Sequence, residues 1–345
     1  MRTYQPIIIT SILFSGITLL ISYLIWGRSF RDATAVDVQH GLVEAAMKGK
    51  ASVVFIFTLT SDTATYYAGS QTGSGVLISE DGFIVTNHHV ISNGVEIHVQ
   101  TDERHEYIAQ LVGTDSTHDV ALLKINIAGL PFLSFGNSDS LRIGEQVLAV
   151  GSPYKLHSTV TSGIVSALDR DIKLTNNATQ NLIQTDAPIN MGNSGGALLN
   201  AKGQLMGMNV AMITTSGEYE GFSFALPSNL VKKIVDDIRQ FGSIQNGSIG
   251  MMIRAVNAAI AKEAGMTGIY GVVVDALTPG GAADSAGIQS LDIILTVNGK
   301  DIQSNADMMS QLALHRAGDV LSIEVLRKGK EQTIKVRLHE VQKEE

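Results

Sequence analysis

The sequence predicts a mainly β protein, and three observations carry that expectation. Apolar runs of strand length, rich in Val, Ile, Leu and Phe, recur from residue 51 onward. Turn residues separate them at intervals of roughly eight to twelve residues. No long amphipathic helix intervenes before residue 226, which is the pattern of an all-β barrel or sandwich rather than of alternating strands and helices.

The elements follow in order. Ile7 to Trp26 is almost wholly apolar and carries no charge. As a helix it would span roughly 30 Å, the thickness of a bilayer core. Tyr23 and Trp26 lie at one end, where aromatic rings favour the membrane interface. A cleaved signal peptide would have a shorter apolar region and a small-x-small cleavage site, but Gly27-Arg28-Ser29-Phe30-Arg31 follows. The expectation is an N-terminal transmembrane helix within residues 1–30. Arg2 lies on one side of it and Arg28 and Arg31 on the other, so charge alone does not orient it.

Residues 32–50 read as a linker and a helix with Val38, Leu42, Val43, Ala45 and Ala46 on its apolar side. Residues 51–57 form a strand, and 60–72, rich in Thr, Ser and Tyr, an exposed loop. Strands at 73–79 and 82–86 join through Asp81-Gly82, a hairpin signal. Further strands are expected at 95–100, 107–112, 120–125, 146–150 and 159–167. Leu226 to Phe241 is a helix with Leu230, Val231, Ile234, Val235, Ile238 and Phe241 on one face, Pro227 in its first turn and Gly242 as its cap. After a connection at 242–248 come a strand at 269–275, a small-residue turn with a short helix at 280–288, and a strand at 292–299. A helix at 307–316 and a hairpin of 320–327 with 332–338 complete the chain.

Composition bounds the function. The 345 residues suffice for two domains and an appendage. A net charge of −8 with no long basic run argues against a nucleic-acid binder. With no cysteine, the chain can hold neither a disulfide nor a zinc-thiolate site nor a cysteine nucleophile. The reading calls for no cofactor and no metal.

The chemistry centres on Gly192-Asn193-Ser194-Gly195-Gly196, a serine between glycines just before the apolar Ala197-Leu198-Leu199. A nucleophilic serine needs such a tight turn, with backbone N–H groups aimed where an oxyanion develops. A plain hairpin loop would use the same residue types. A serine nucleophile also needs a base and an orienting carboxylate. Thr86-Asn87-His88-His89-Val90 and Asp119-Val120-Ala121-Leu122-Leu123 offer them, in the order His, Asp, Ser of the chymotrypsin type. Asp115 is a rival acid without a comparable apolar strand behind it.

These three motifs resemble those of the HtrA (DegP/DegS-type) serine proteases, and the likeness covers roughly residues 35–340. It implies a trypsin-like double β-barrel protease domain at 31–242, with the triad in the cleft between the barrels. The histidine directly before the valine is the base in that family, which selects His89 over His88. Asp119 then orients His89 and Ser194 attacks, with Gly192, Asn193 and Ser194 as the oxyanion residues. Ile189 and Met191 suggest a small apolar P1 pocket, and Phe222, Ser223 and Phe224 resemble the strand on which substrate docks by β-augmentation.

The series at 249–345, with Ala286-Gly287-Ile288 and Asn298-Gly299, resembles a PDZ domain. Ile249, Gly250, Met251 and Met252 sit where its peptide-carboxylate loop and lining are expected. Arg170 resembles the arginine that relays the PDZ signal to the protease, although alone it would be an exposed loop residue. The resemblance further implies a homotrimer and a single-pass bacterial inner-membrane protein of the DegS branch, its catalytic domain in the periplasm. The expected partners are a membrane-bound regulatory substrate and exposed C-termini of misfolded envelope proteins, in an envelope stress response. The other readings are a broad quality-control protease or chaperone, and a non-proteolytic PDZ scaffold.

Overall fold

Apolar strands in the first half of the chain are buried on both faces, and the architecture shows why. The computed structural model describes residues 40–59, 71–153, 158–173, 179–212 and 221–341. The apolar run 7–26 and most of the 60–72 loop lie outside them, and none of the described helices is long and apolar enough to cross a membrane. A helix α1 (residues 40–52) leads into β1 (Val53–Leu59). With β2 (Gln71–Leu77), β3 (Phe83–Thr86), β4 (Glu96–Gln100), β5 (Glu106–Asp115) and β6 (Val120–Lys124) it closes a barrel of order β1-β2-β3-β6-β5-β4. Side chains alternate between two cores. Val54, Ile56, Leu77, Ile84 and Leu123 fill this barrel. Their neighbours Val53, Val76, Val85 and Leu122 join the core shared with the second barrel. Strands between two cores read as continuous apolar runs, as Val53-Val54-Phe55-Ile56-Phe57 does.

The second barrel has the order β10-β11-β12-β9-β8-β7. Its strands are β7 (Gln146–Gly151), β8 (Thr159–Lys173), β9 (Thr179–Thr185), β10 (Ala197–Asn200), β11 (Leu205–Met212) and β12 (Ser223–Pro227). A one-turn helix α2 (His88–Ile91) follows β3 in the first barrel. The helix α3 (Ser228–Phe241) lays Leu230, Val231, Ile234, Val235 and Ile238 on the shared core. Two details depart from expectation. Pro227 ends β12 as the N-cap instead of entering the helix. Phe241 is exposed, its ring lying under the Arg316 guanidinium at 5.5 Å. Likewise Val43 of α1 faces solvent, while Ala45 is buried and Leu42 and Ala46 pack on the core.

The last domain contains β13 (Gly247–Ser248), β14 (Met251–Ala255), α4 (Ala258–Glu263), β15 (Val272–Leu277), α5 (Ala282–Ser285), β16 (Ile293–Val297), β17 (Lys300–Asp301), α6 (Asn305–Ala313), β18 (Val320–Arg327), β19 (Lys330–Arg337) and β20 (His339–Glu340). The main sheet runs β14-β15-β16-β18-β19. Val274, Ile294, Ile323, Val325 and Met308 form its core. Asp292 is buried and accepts from Arg327 through Nε (2.6 Å) and Nη2 (2.5 Å), so a buried charge keeps its partner.

The domains touch closely. Buried Asp237 of α3 accepts from Arg316 Nε (2.6 Å), Lys233 Nζ (2.9 Å) and the Gln245 N–H (2.8 Å). Asn181 Nδ2 donates to Asp307 Oδ1 and Lys300 Nζ reaches Asp169 at 3.0 Å. A cleft of about 840 Å³ lies among these contacts, bounded by Ser138, Asn229, Lys300 and Arg316 as well as Leu182 and Leu314.

Candidate active site

His89, in α2 just after β3, and Asp119, just before β6, meet because β3 pairs with β6. His89 Nδ1 lies 2.7 Å from Asp119 Oδ2, and the His89 backbone N–H donates to Asp119 Oδ1 at 2.8 Å. Asp119 has φ +57, a conformation that Asp tolerates better than most residues. Its carbonyl is fixed by the His88 N–H (3.1 Å) and by Asn87 Nδ2 (2.9 Å). The carboxylate is buried while the His89 ring is 52 % exposed, so one ring face is open to a substrate. His88 turns elsewhere, its Nδ1 2.7 Å from Thr114 Oγ1. The rival Asp115 is committed to His118, at 2.6 Å from Nδ1. Burial alone would raise the Asp115 pKa, but its bonds to the His118 side chain and to the Thr117 and His118 N–H groups hold it below the usual carboxylate value.

Ser194 sits on the turn that enters β10. Gly195 has φ +82, and a Cβ there would run into the Ser74 carbonyl and Thr86 Oγ1, so only glycine fits. Most backbone groups of this turn are spoken for. The Gly192 carbonyl accepts from Ser74 Oγ (2.6 Å), the Asn193 N–H donates to Asn190 O (3.0 Å), and the Asn193 carbonyl accepts from Gly196 N–H (2.9 Å). The Ser194 carbonyl accepts from Ser74 N–H (2.8 Å) and Gly195 N–H donates to Asn209 O (2.8 Å). Among the described residues nothing takes the Gly192 and Ser194 N–H groups. Asn193, grouped with them from the sequence, has its N–H already bonded. Ser194 Oγ itself donates to the Val210 carbonyl at 3.1 Å. No hydrogen bond joins it to His89 among the described residues.

The other sequence candidates separate. Ile189 is buried in the second-barrel core, its N–H bonded to Ser223 Oγ (3.3 Å), whereas Met191 is 77 % exposed. Phe222 is exposed, but Ser223 and Phe224 are buried and β12 is paired to β11 and β9 on both edges. In the closed barrel both edges of β12 are paired along Ser223–Ala225, and Phe222 just before the strand is the exposed member of the segment.

In the last domain Ile249 is a core residue and Met251 packs against that core, while Met252 is 69 % exposed. β14 is an edge strand beside α6, with Asn305 Nδ2 at 3.4 Å from the Ile253 carbonyl. Arg170 is in strand β8, not in a loop, with Nε donating to Gln184 Oε1 at 2.9 Å. Sequence reasoning missed Ser74, Asn87 and Asn209, which hold the catalytic turns. The one available signal was the flanking Gly73 and Gly75, which leave the backbone beside Ser74 accessible.

A model of the trypsin-like peptidase domain matches residues 73–208 and one of the PDZ domain residues 240–338. A probable periplasmic serine endoprotease, DegP-like, from Marinomonas sp. (strain MWYL1) is 42% identical over 269 residues, covering 78% of this chain and 57% of the relative. The periplasmic serine endoprotease DegP of Escherichia coli (strain K12) is 40% identical over 270 residues, 78% of this chain and 57% of the relative. The chain thus spans little more than half the length of these curated relatives. The solved HtrA-type protease AlgW with tripeptide is 35% identical with a TM-score of 0.70, and the match covers 88% of this chain and 98% of that one. The serine endoprotease from Yersinia pestis is 34% identical with a TM-score of 0.59, covering 87% and 98%. The chain belongs to the HtrA family of proteases, with a trypsin-like peptidase domain followed by a PDZ domain.

Proposed function

We propose that the protein is a periplasmic serine endopeptidase in which Ser194 is the nucleophile, His89 the base and Asp119 the group that orients the base. The observation that carries this is the 2.7 Å His89–Asp119 contact together with a serine turn whose Gly192 and Ser194 N–H groups take no partner among the described residues. In the reaction, Ser194 Oγ gives up its bond to the Val210 carbonyl and hands its proton to His89 Nε2 as it attacks the scissile carbonyl. The carbonyl oxygen becomes negative between the Gly192 and Ser194 N–H groups. Asp119 holds the Nδ1 proton and stabilises the imidazolium, which then protonates the leaving amine. Water repeats the sequence on the acyl-enzyme.

The finer reading is of the DegS kind. Residues 7–26 anchor the chain in the inner membrane, and the protease works as a trimer. An exposed C-terminus docks along β14, with Gly250 at the carboxylate end and Met251 and Met252 beside it. Binding alters the α6 contact through Asp307 and Asn181, and Arg170 relays it, standing next to the Asp169–Lys300 ion pair. The substrate is a membrane-bound regulator, and P1 is a small or medium apolar residue. AlgW, solved with tripeptide and decapeptide, supports the peptide-responsive reading. The second reading is general envelope proteolysis, with which the relatives named as periplasmic serine endoproteases are equally consistent. Ser194→Ala should abolish cleavage of a membrane-protein panel in the presence of C-terminal peptides. Hydrolysis near the wild-type rate by the purified variant would sink the assignment, and broad cleavage without selectivity would favour the general role.

A further inference from the structure

We infer that Ser74, on a strand of the first barrel, is the positioning residue that sets the oxyanion turn of the second barrel. The inference rests on the proposed Ser194 chemistry and deepens it.

Ser74 is fully buried in β2, and all its polar groups are used. Its Oγ donates to the Gly192 carbonyl at 2.6 Å and accepts from the Ser152 N–H at 2.8 Å. Its N–H donates to the Ser194 carbonyl at 2.8 Å, and its carbonyl accepts from Thr86 Oγ1 at 2.6 Å. One residue therefore holds the carbonyls on both sides of Asn193-Ser194 and also fastens the loop before the second-barrel turn.

The consequence is geometric. A peptide plane is rigid, so a fixed carbonyl fixes the N–H beyond it. Ser74 Oγ and Asn190 O pin the Gly192–Asn193 plane from its two ends. Ser74 N–H and Asn209 O pin the Ser194–Gly195 plane likewise. Between them, the Asn193–Ser194 plane can turn only with its carbonyl toward Gly196, which leaves the Ser194 N–H facing outward. Gly192 has φ +93, a conformation from which the turn can relax if its carbonyl is released. Ser74 touches no reacting atom; it acts through the turn that carries the oxyanion N–H groups, most directly that of Ser194. Because it comes from the other barrel, the site is assembled only when the two barrels are docked.

Such a residue must affect the transition state more than substrate binding. Ser74→Ala removes the Oγ bonds and keeps the backbone bond. We expect kcat to fall about 10- to 100-fold, less than deletion of an oxyanion donor. KM should change by no more than about twofold. Affinity for a peptide boronate should fall by the same factor as kcat, while the pH profile of kcat/KM keeps its shape because no titrating group is touched. The Kd of an uncleaved substrate peptide, measured on Ser194→Ala with and without Ser74→Ala, should not move. The inference is overturned if kcat stays within about twofold of wild type, or if peptide binding weakens as much as kcat falls. If Ser74→Ala does not fold, Ser74→Cys, similar in shape but a weak donor, is judged by the same criteria. Wild-type protein that fails to cleave any substrate, or Ser194→Ala that still cleaves, would instead refute the underlying reading.

Discussion

Replacing Asp119 with Asn changes one atom at the pair that the mechanism depends on most. The Asn oxygen can still accept the His89 backbone N–H, as Oδ1 does now at 2.8 Å. Its NH2 then faces Nδ1, where the carboxylate accepts at 2.7 Å. Nδ1 must become the acceptor, so the ring proton moves to Nε2, and Nε2 can no longer take a proton from Ser194. The expected loss in kcat is about 10⁴-fold, or about 5 kcal/mol of barrier. The fold should survive, because Asn also tolerates φ +57 and the carbonyl clamp from Asn87 and His88 is unchanged. Exchanging charge-assisted bonds for neutral ones costs about 1–2 kcal/mol. The assay is kcat on an internally quenched peptide at saturating activator, beside a circular-dichroism melt. A folded variant with kcat within about tenfold of wild type would refute the tautomer argument.

Two further outcomes are expected. Asp115 has a depressed folded pKa, so its stabilisation is complete above the ordinary carboxylate pKa of about 3.9 and is lost as pH falls through the lower folded value. Asp115→Asn should therefore lower Tm near neutrality and lessen the loss on acidification, in melts taken from about pH 7 to pH 3; an unchanged acid slope would contradict it. Peptides with apolar C-termini should raise kcat/KM, amidation of their carboxylate should remove the effect, and deletion of residues 250–345 should leave a protease indifferent to them; equal response to amidated peptides would remove the PDZ domain from control.

The triad candidates were legible because each lies in a short local motif, and the β3–β6 pairing then brings His89 to Asp119. Most strands were legible from apolar runs and turn residues. What escaped depends on partners far along the chain. Ser74 is an unremarkable strand residue until Gly192, 118 positions later, lies beside it. Arg170 read as loop because β8 passes through bulges around Ala167 and Arg170 before regaining its pairing. Ile189 read as a binding residue from its place beside the serine motif and Phe224 from the likeness of its strand to a docking strand, while the barrel buries both side chains. β14 and α4 were missed because Met251-Met252-Ile253-Arg254 lacks alternation and α4 is only six residues long.

The most direct test of the serine mechanism is covalent labelling by a peptidyl phosphonate in the presence of an activating C-terminal peptide, with the modified residue mapped by mass spectrometry. The adduct should lie on Ser194, vanish in His89→Ala and persist in His88→Ala, whose ring bonds Thr114 and not the acid. An adduct on another residue, or equal loss in the two histidine variants, would contradict the account.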